Sequence, residues 1–153
     1  MRVIVQRVTR ASVRVGGEVV GQCGNGLLVL VAASKSSTSE QAKQLADRVA
    51  GLRIFNDAEG KMNLSLKDLP ESRLAQVLVI SQFTLYGDVY ASRRPSFIES
   101  ANYEDGKRLY TEFCDALRSL VRGLETGVFG ASMEVELVND GPVTIQFDAK
   151  PIR

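Results

Sequence analysis

Residues 2 to 15 alternate with a period of two. Val3, Val5, Arg7, Thr9, Ala11, Val13 and Val15 share one face, and Arg2, Ile4, Gln6, Val8, Arg10, Ser12 and Arg14 share the other. That period belongs to an extended strand and commits the chain to a sheet. Gly16-Gly17 offers a two-residue turn, and Glu18-Val19-Val20 can return as a hairpin partner. Arg7 is the exception on its mostly apolar face. A charge buried there alone is costly, so it needs a partner or a role.

Downstream, Gly21 to Gly26 reads as a turn whose glycines match neither a dinucleotide nor a P-loop fingerprint. Leu27 to Ala33 is a continuous apolar strand suited to cover on both faces. Thr38 with Gln41 fits a capping box, and Ala42, Leu45, Ala46 and Val49 follow at helical spacing up to Gly51. Leu52 to Phe55 reads as a short strand and Lys67 to Arg73 as a polar loop. Asn56 to Gly60 has turn chemistry without the full ligand spacing of a calcium loop. Leu74 to Ile80 is a second apolar strand. Asn102 can cap a helix with Glu104 and Asp105 in its first turn and Arg118 and Arg122 near its end, an order that suits the helix dipole. Its apolar stripe is Leu109, Phe113, Leu117, Leu120 and Val121. Met133 to Val138 and Val143 to Phe147 are two further strands, joined by a turn at Asn139-Asp140-Gly141-Pro142. With no repeat or linker, residues 1–153 form one α+β domain with a largely antiparallel sheet and two main helices.

The chain contains no histidine. Histidine is the usual side chain that exchanges protons near neutral pH, so a Ser-His-Asp or Cys-His arrangement is excluded. A zinc site would lose its commonest nitrogen ligand, and no metal is expected. Cys23 and Cys114 are far apart in sequence and read as reduced, partly buried thiols. The N-terminal apolar run breaks at Gln6-Arg7, unlike a secretory signal, and no apolar run is long enough to cross a bilayer. A cytoplasmic protein is expected. The net charge of +1 is neutral on partners, but Arg2, Arg7, Arg10 and Arg14, and then Arg93 and Arg94, stand in stretches without acids. Such strips can hold a few phosphates or can simply be solvated.

Two short segments carry chemistry. Ser81-Gln82-Phe83-Thr84 follows directly on the apolar run Val77 to Ile80, so a packed strand end holds these polar groups. The plain alternative is that Ser81 and Thr84 satisfy backbone groups at a strand end. Asn139-Asp140-Gly141-Pro142 can present backbone oxygens to a pocket, because glycine leaves its neighbouring carbonyls uncovered. The plain alternative is an ordinary loop between strands.

Taken together, these segments resemble the paired signatures of the D-aminoacyl-tRNA deacylase family, the second continuing through Val143-Thr144. The likeness extends through Gln6 to Val13, Arg53-Ile54-Phe55, Asp57 to Asn63 and Arg94-Pro95-Ser96-Phe97. It implies a barrel-like sheet, no cofactor, and hydrolysis of the ester joining a D-amino acid to the terminal adenosine of tRNA. It further implies a homodimer in which a cis Gly141-Pro142 peptide reaches into the partner's pocket. There its carbonyls exclude the side chain of an L-amino acid. Achiral glycine passes such a filter, so glycyl-tRNA is an expected second substrate. Arg7 would lock the Gly141-Pro142 orientation, with Asn139 and Thr144 beside it, and Phe129 and Met133 would receive the adenine. The stretch Tyr90 to Arg93 departs from the family's usual loop. Lys67 to Arg73 resembles an insertion and Ala149 to Arg153 a C-terminal extension.

By the same resemblance Thr84 matches a residue favoured as the nucleophile in that family, but no base stands beside it in sequence, and a bare threonine hydroxyl is a poor nucleophile. Backbone amides around Phe83 and Thr84, acting as an oxyanion hole with the ribose 2′-hydroxyl assisting water, fit these residues better. The competing classes are a catalytically silent RNA- or DNA-binding protein of the same fold and a D-amino-acid or D-peptide hydrolase acting on small molecules. A cysteine hydrolase lacks any visible activating partner.

Overall fold

The computed structural model describes residues 1–150, so most of the Ala149–Arg153 extension lies outside the described residues. Strand β1 (Arg2–Val15) runs into β2 (Glu18–Cys23) through Gly16-Gly17, and β3 (Gly26–Ala32) follows after a tight turn. The region read as a turn from Gly21 is therefore strand as far as Cys23. Helix α1 (Ser39–Ala50) comes next, then the small pair β4 (Phe55–Asn56) and β5 (Met62–Leu64). Strand β6 (Gln76–Ser81) leads through a 3₁₀ turn (Phe83–Tyr86) to helix α2 (Tyr103–Arg118). Strands β7 (Leu124–Thr126) and β8 (Glu134–Asp148) end the chain.

The main sheet has six strands in the order β2-β1-β3-β6-β7, with β8 along the other edge of β1. Pairing is antiparallel wherever β1 takes part and parallel for β3–β6 and β6–β7. The N-terminal half of β1 holds β3 and its C-terminal half holds β2 on the same edge. The sheet thereby curls until β2 meets β7. There the Glu125 carboxylate accepts the Gln22 amide at 2.7 Å, and Gly21 lies so near that a Cβ on it would fall 2.5 Å from the Thr126 carbonyl. The result is a nearly closed, mixed, barrel-like sheet in an α+β domain.

The period-two reading of β1 holds only in halves. Val3, Val5 and Arg7 face the helices, but the register against β8 slips between Val8 and Arg10, and the extra residue turns the strand over. Val8, Ala11 and Val13 then line the barrel interior with Leu28, Leu78, Ile80 and Cys23, while Thr9 is left exposed. The larger core lies between the outer face of the sheet and the two helices, and includes Val29, Val31, Val77, Val79, Leu45, Val49, Phe113 and Leu117. Strands β3 and β6 are thus covered on both faces, as their unbroken apolar runs require.

The helix ends follow their capping residues. The Thr38 hydroxyl accepts the Gln41 amide, and the Gln41 side chain accepts the Thr38 amide. Asn102 caps α2, whose buried stripe also takes in Tyr110 and Cys114. Leu120, Val121 and Arg122 fall beyond its end. Of the expected Leu52–Phe55 strand only Phe55 enters a ladder, in β4 together with Asn56, and Lys67–Arg73 contains a 3₁₀ turn (Glu71–Arg73). No helix among the described residues is long and apolar enough to cross a membrane.

Met133–Val138 and Val143–Phe147 are not two separate strands. Apart from Met133, they belong to one strand, β8, that pairs with β1 on both sides of Asn139–Thr144, where the intervening residues bulge out of the ladder. Five steps on β8, from Thr144 to Asn139, span only the two from Gln6 to Val8 on β1. The opposite edge of β8 pairs with nothing among the described residues, and none of its side chains is fully buried.

Candidate active site

Strands β3 and β6 run parallel and end side by side, and a cavity of about 480 Å³ opens at their C-terminal ends. Its walls include Ser81, Gln82 and Phe83 from the end of β6, Phe129 and Met133 from the segment before β8, and Tyr103 and Tyr110 from α2. The first signature segment and the two residues expected to receive adenine therefore share one cavity. Thr84 follows immediately but is exposed and does not line it. Its hydroxyl accepts a short hydrogen bond from the Gln82 side-chain amide.

The backbone explains what this strand end offers. Gln82 donates its amide to the Val31 carbonyl at 2.9 Å, which ties the exit of β6 to β3. The chain then tightens into the 3₁₀ turn, with the Leu85 amide donating to the Gln82 carbonyl at 3.1 Å. The first amides of such a turn have no partner inside it. Among the described residues, neither the Phe83 nor the Thr84 amide finds an acceptor. Two adjacent backbone donors thus remain free at the strand end beside the cavity, and free backbone amides are the kind of donor an oxyanion uses.

The aromatic wall is only partly legible in the sequence. Phe129 is wedged between Tyr103, edge-on at 5.3 Å between ring centres, and Tyr110, tilted at 5.5 Å. The Tyr110 hydroxyl donates to the Val79 carbonyl at 3.0 Å, and burial pushes its phenol well above the ordinary range, so it stays a neutral donor. Tyr110 stands in the helical stripe beside Leu109 and Phe113. That spacing marks it as core and gives no hint that its ring also backs the cavity.

The second signature segment is elsewhere on the same chain. Gly141, Pro142 and Asn139 do not line the cavity; they sit in the bulge of β8 opposite Arg7. Arg7 is only 8% exposed, and two of its three guanidinium nitrogens are engaged. Its Nε donates to the Asp140 carbonyl at 3.1 Å and stands 3.4 Å from the Asp140 carboxylate. One terminal nitrogen donates to the Ile54 carbonyl at 2.7 Å and to Asn56 Oδ1 at 3.3 Å. The bulge is tied internally as well: Asn139 Oδ1 accepts the Val143 amide at 2.8 Å, and Asn139 Nδ2 donates to the Thr144 hydroxyl at 3.0 Å. The Gly141-Pro142 bond is cis, and Gly141 has a φ of 137°. A Cβ there would fall 2.6 Å from Val143 Cγ2, so only glycine fits. Gly141 and Pro142 are themselves exposed.

The two cysteines are out of play as nucleophiles. Cys23 and Cys114 are free and buried, and burial pushes both thiols up to about 11. Neither is poised as a thiolate. No cluster of acids and cysteines that could hold a metal ion occurs among the described residues.

The family model for D-Tyr-tRNA(Tyr) deacylase matches residues 4–148. D-aminoacyl-tRNA deacylases from Fervidobacterium nodosum and Symbiobacterium thermophilum are 49% and 52% identical, over 99% and 98% of this chain and 99% and 97% of theirs. The solved structure of a c-Myc DNA Unwinding Element Binding Protein superposes with a TM-score of 0.90 at 36% identity, covering 99% of this chain and 100% of that one. The structure of a probable eukaryotic D-amino acid tRNA deacylase has a TM-score of 0.79 at 21% identity, covers 96% of this chain and 98% of that one, and shares the fold. The chain belongs to the D-aminoacyl-tRNA deacylase family, whose reaction is hydrolysis of the ester between a D-amino acid and tRNA.

Proposed function

We propose that the cavity beside Ser81-Gln82-Phe83 holds the aminoacyl ester of D-aminoacyl-tRNA, with its carbonyl oxygen on the Phe83 and Thr84 amides. The observation that carries this reading is the pair of unpartnered amides next to a cavity already walled by Phe129 and Met133. Those two side chains receive the terminal adenine, and the ribose 2′-hydroxyl assists the attacking water. No histidine is available to do so. Thr84 is a positioning residue, because its hydroxyl is engaged by Gln82 and lies off the cavity wall.

Selectivity comes from the partner subunit in this reading. Gly141 and Pro142 are exposed and do not reach their own cavity, while the outer edge of β8 is unpaired among the described residues. A long free edge is suited to association with a second copy. In the homodimer the Gly141 and Pro142 carbonyls enter the opposite cavity and meet the side chain of an L-amino acid. Arg7, Asn139 and Thr144 hold them in place. A D-amino acid points away and glycine has nothing to exclude, so glycyl-tRNA is also hydrolysed. The enzyme would act in the cytoplasm, where charged tRNA is used.

A DNA-binding reading is favoured only by the name of the 36% identical protein, a DNA unwinding element binding protein. Both signature segments are intact here, which supports catalysis. Subunit mixing tests the shared site. A chain whose Phe83–Thr84 amide is replaced by an ester and a chain carrying Gly141→Ala should, when mixed, regain selective deacylation in one site of each hybrid dimer. Failure of the hybrid to regain it, with dimers demonstrably exchanged, contradicts the crossed arrangement.

A further inference from the structure

Free amides are useful only if their peptide planes keep their aim, and a 3₁₀ turn of four residues has little rigidity of its own. Two side chains from distant parts of the chain grip the carbonyls of this turn. Ser100 donates its hydroxyl to the Phe83 carbonyl at 3.1 Å. That carbonyl belongs to the same peptide unit as the Thr84 N–H, so fixing one end of the plane aims the other. Ser100 is itself held against the segment that leaves β3: Ala101 donates to the Ala33 carbonyl at 3.0 Å, and Lys35 donates to the Glu99 carbonyl at 3.1 Å.

The second grip is Arg2. One of its terminal nitrogens donates to the Leu85 carbonyl at 3.0 Å. The other side of the guanidinium forks onto Asp148, with distances of 2.7 and 3.0 Å, and the cation lies 4.9 Å from the centre of the Tyr86 ring. This one side chain joins the first residue of β1, the last of β8 and the far end of the 3₁₀ turn. A bidentate pair has one preferred geometry, which a lysine cannot reproduce.

We propose that Ser100 and Arg2 are positioning residues for the deacylation step, holding the Phe83–Tyr86 turn by its carbonyls so that the Phe83 and Thr84 amides stay aimed at the ester oxygen. Ser100 also polarises the Thr84 N–H through the shared peptide, since hydrogen bonds in series strengthen one another. The proposal rests on the oxyanion reading above. It predicts a cost in the chemical step and none in binding of the tRNA.

The test is single-turnover deacylation of D-aminoacyl-tRNA by Ser100→Ala, Ser100→Thr, Arg2→Met and Arg2→Lys, alone and in a chain whose Phe83–Thr84 amide is replaced by an ester. Removing one oxyanion donor typically costs about 10²- to 10³-fold, and misaiming it a part of that. Ser100→Ala and Arg2→Met should each slow the step about tenfold with half-saturation unchanged. Ser100→Thr should restore the rate, and Arg2→Lys should not. In the ester chain, Ser100→Ala should cost nothing further, because the N–H it aims is gone. If the ester chain is crippled while Ser100→Ala and Arg2→Met react at the parent rate, the positioning claim is overturned and the oxyanion reading stands. An ester chain as fast as the parent overturns the oxyanion reading itself. A loss confined to half-saturation, or a Ser100→Ala loss that persists in full in the ester chain, overturns the proposal in favour of a purely structural role. Ser100→Ala removes a single hydroxyl at a half-buried site, so it keeps the question answerable should Arg2→Met fold poorly.

Discussion

Replacing Arg7 by methionine probes the link between the buried cation and the bulge that carries Gly141 and Pro142. Methionine keeps much of the apolar stem and removes every donor. The bond to the Ile54 carbonyl is buried and short at 2.7 Å, and a hydrogen bond from a charged donor contributes about 1.5–3 kcal/mol. The bond to the Asp140 carbonyl at 3.1 Å adds a smaller amount of the same kind. The ion pair to the Asp140 carboxylate contributes little, because that side chain is 50% exposed. Methionine recovers part of the loss by packing, which leaves a net destabilisation of about 3 kcal/mol. Urea unfolding of the parent and variant measures this directly. The functional consequence is a bulge free to shift at Asp140, so the ratio of D- to L-aminoacyl-tRNA hydrolysis should fall more than about tenfold while D-substrate turnover changes less. A variant destabilised as calculated but with an unchanged D:L ratio refutes the idea that Arg7 holds the filter. A variant as stable as the parent refutes the reading of Arg7 as a buried, hydrogen-bonded charge.

Thr84→Ala should retain most of the deacylation rate, since the hydroxyl lies off the cavity wall; an acyl group trapped on Thr84 by rapid quench and mass spectrometry would contradict this. Phe129→Ala removes the ring held between Tyr103 and Tyr110, and should raise the half-saturating concentration of D-aminoacyl-tRNA about tenfold or more, in keeping with the cost of losing a stacked base. An unchanged value would place the adenine elsewhere. The Arg2 guanidinium holds the Asp148 carboxyl below its usual range. A depressed folded-state pKa means that its stabilising effect is complete above the ordinary aspartate range and is lost as the pH falls through the lowered value. The stability gap between the parent and Asp148→Asn should therefore be constant near neutrality and close below about pH 4, by denaturant titration across that range. A gap that persists into strong acid would mean that Asp148 acts through something other than its charge.

The elements are legible where local chemistry decides them. Thr38 and Gln41 announce the start of α1 and Asn102 that of α2; the apolar run after Gly26 announces a strand covered on both faces, and Leu74 to Ile80 announces β6, which begins two residues later at Gln76. Register is not legible. The switch of faces at Thr9 and the continuity of β8 through Asn139–Thr144 depend on how β1 and β8 align, which no single segment encodes. The three-residue strand β7 is hidden because Leu124-Glu125-Thr126 is too short to show a period. At the site, the placement of Ser81 to Phe83 at a strand end is visible, and so is the oddity of Arg7. The segment holding Asp140 is marked, but its contact with Arg7, 133 residues away, is not; Ser100 meets the Phe83 carbonyl through one hydroxyl, and nothing in its immediate surroundings marks it.

Discrimination of chirality at an ester, with no histidine, is what the proposed site must achieve. Its most direct test is the hydrolysis of one tRNA charged with either the D- or the L-form of the same amino acid, at equal concentration and with the folded protein verified in the same sample. Rapid release of the D-amino acid is the expected result, with an L-ester that decays at its spontaneous rate. Equal hydrolysis of both esters, or of neither, would contradict it.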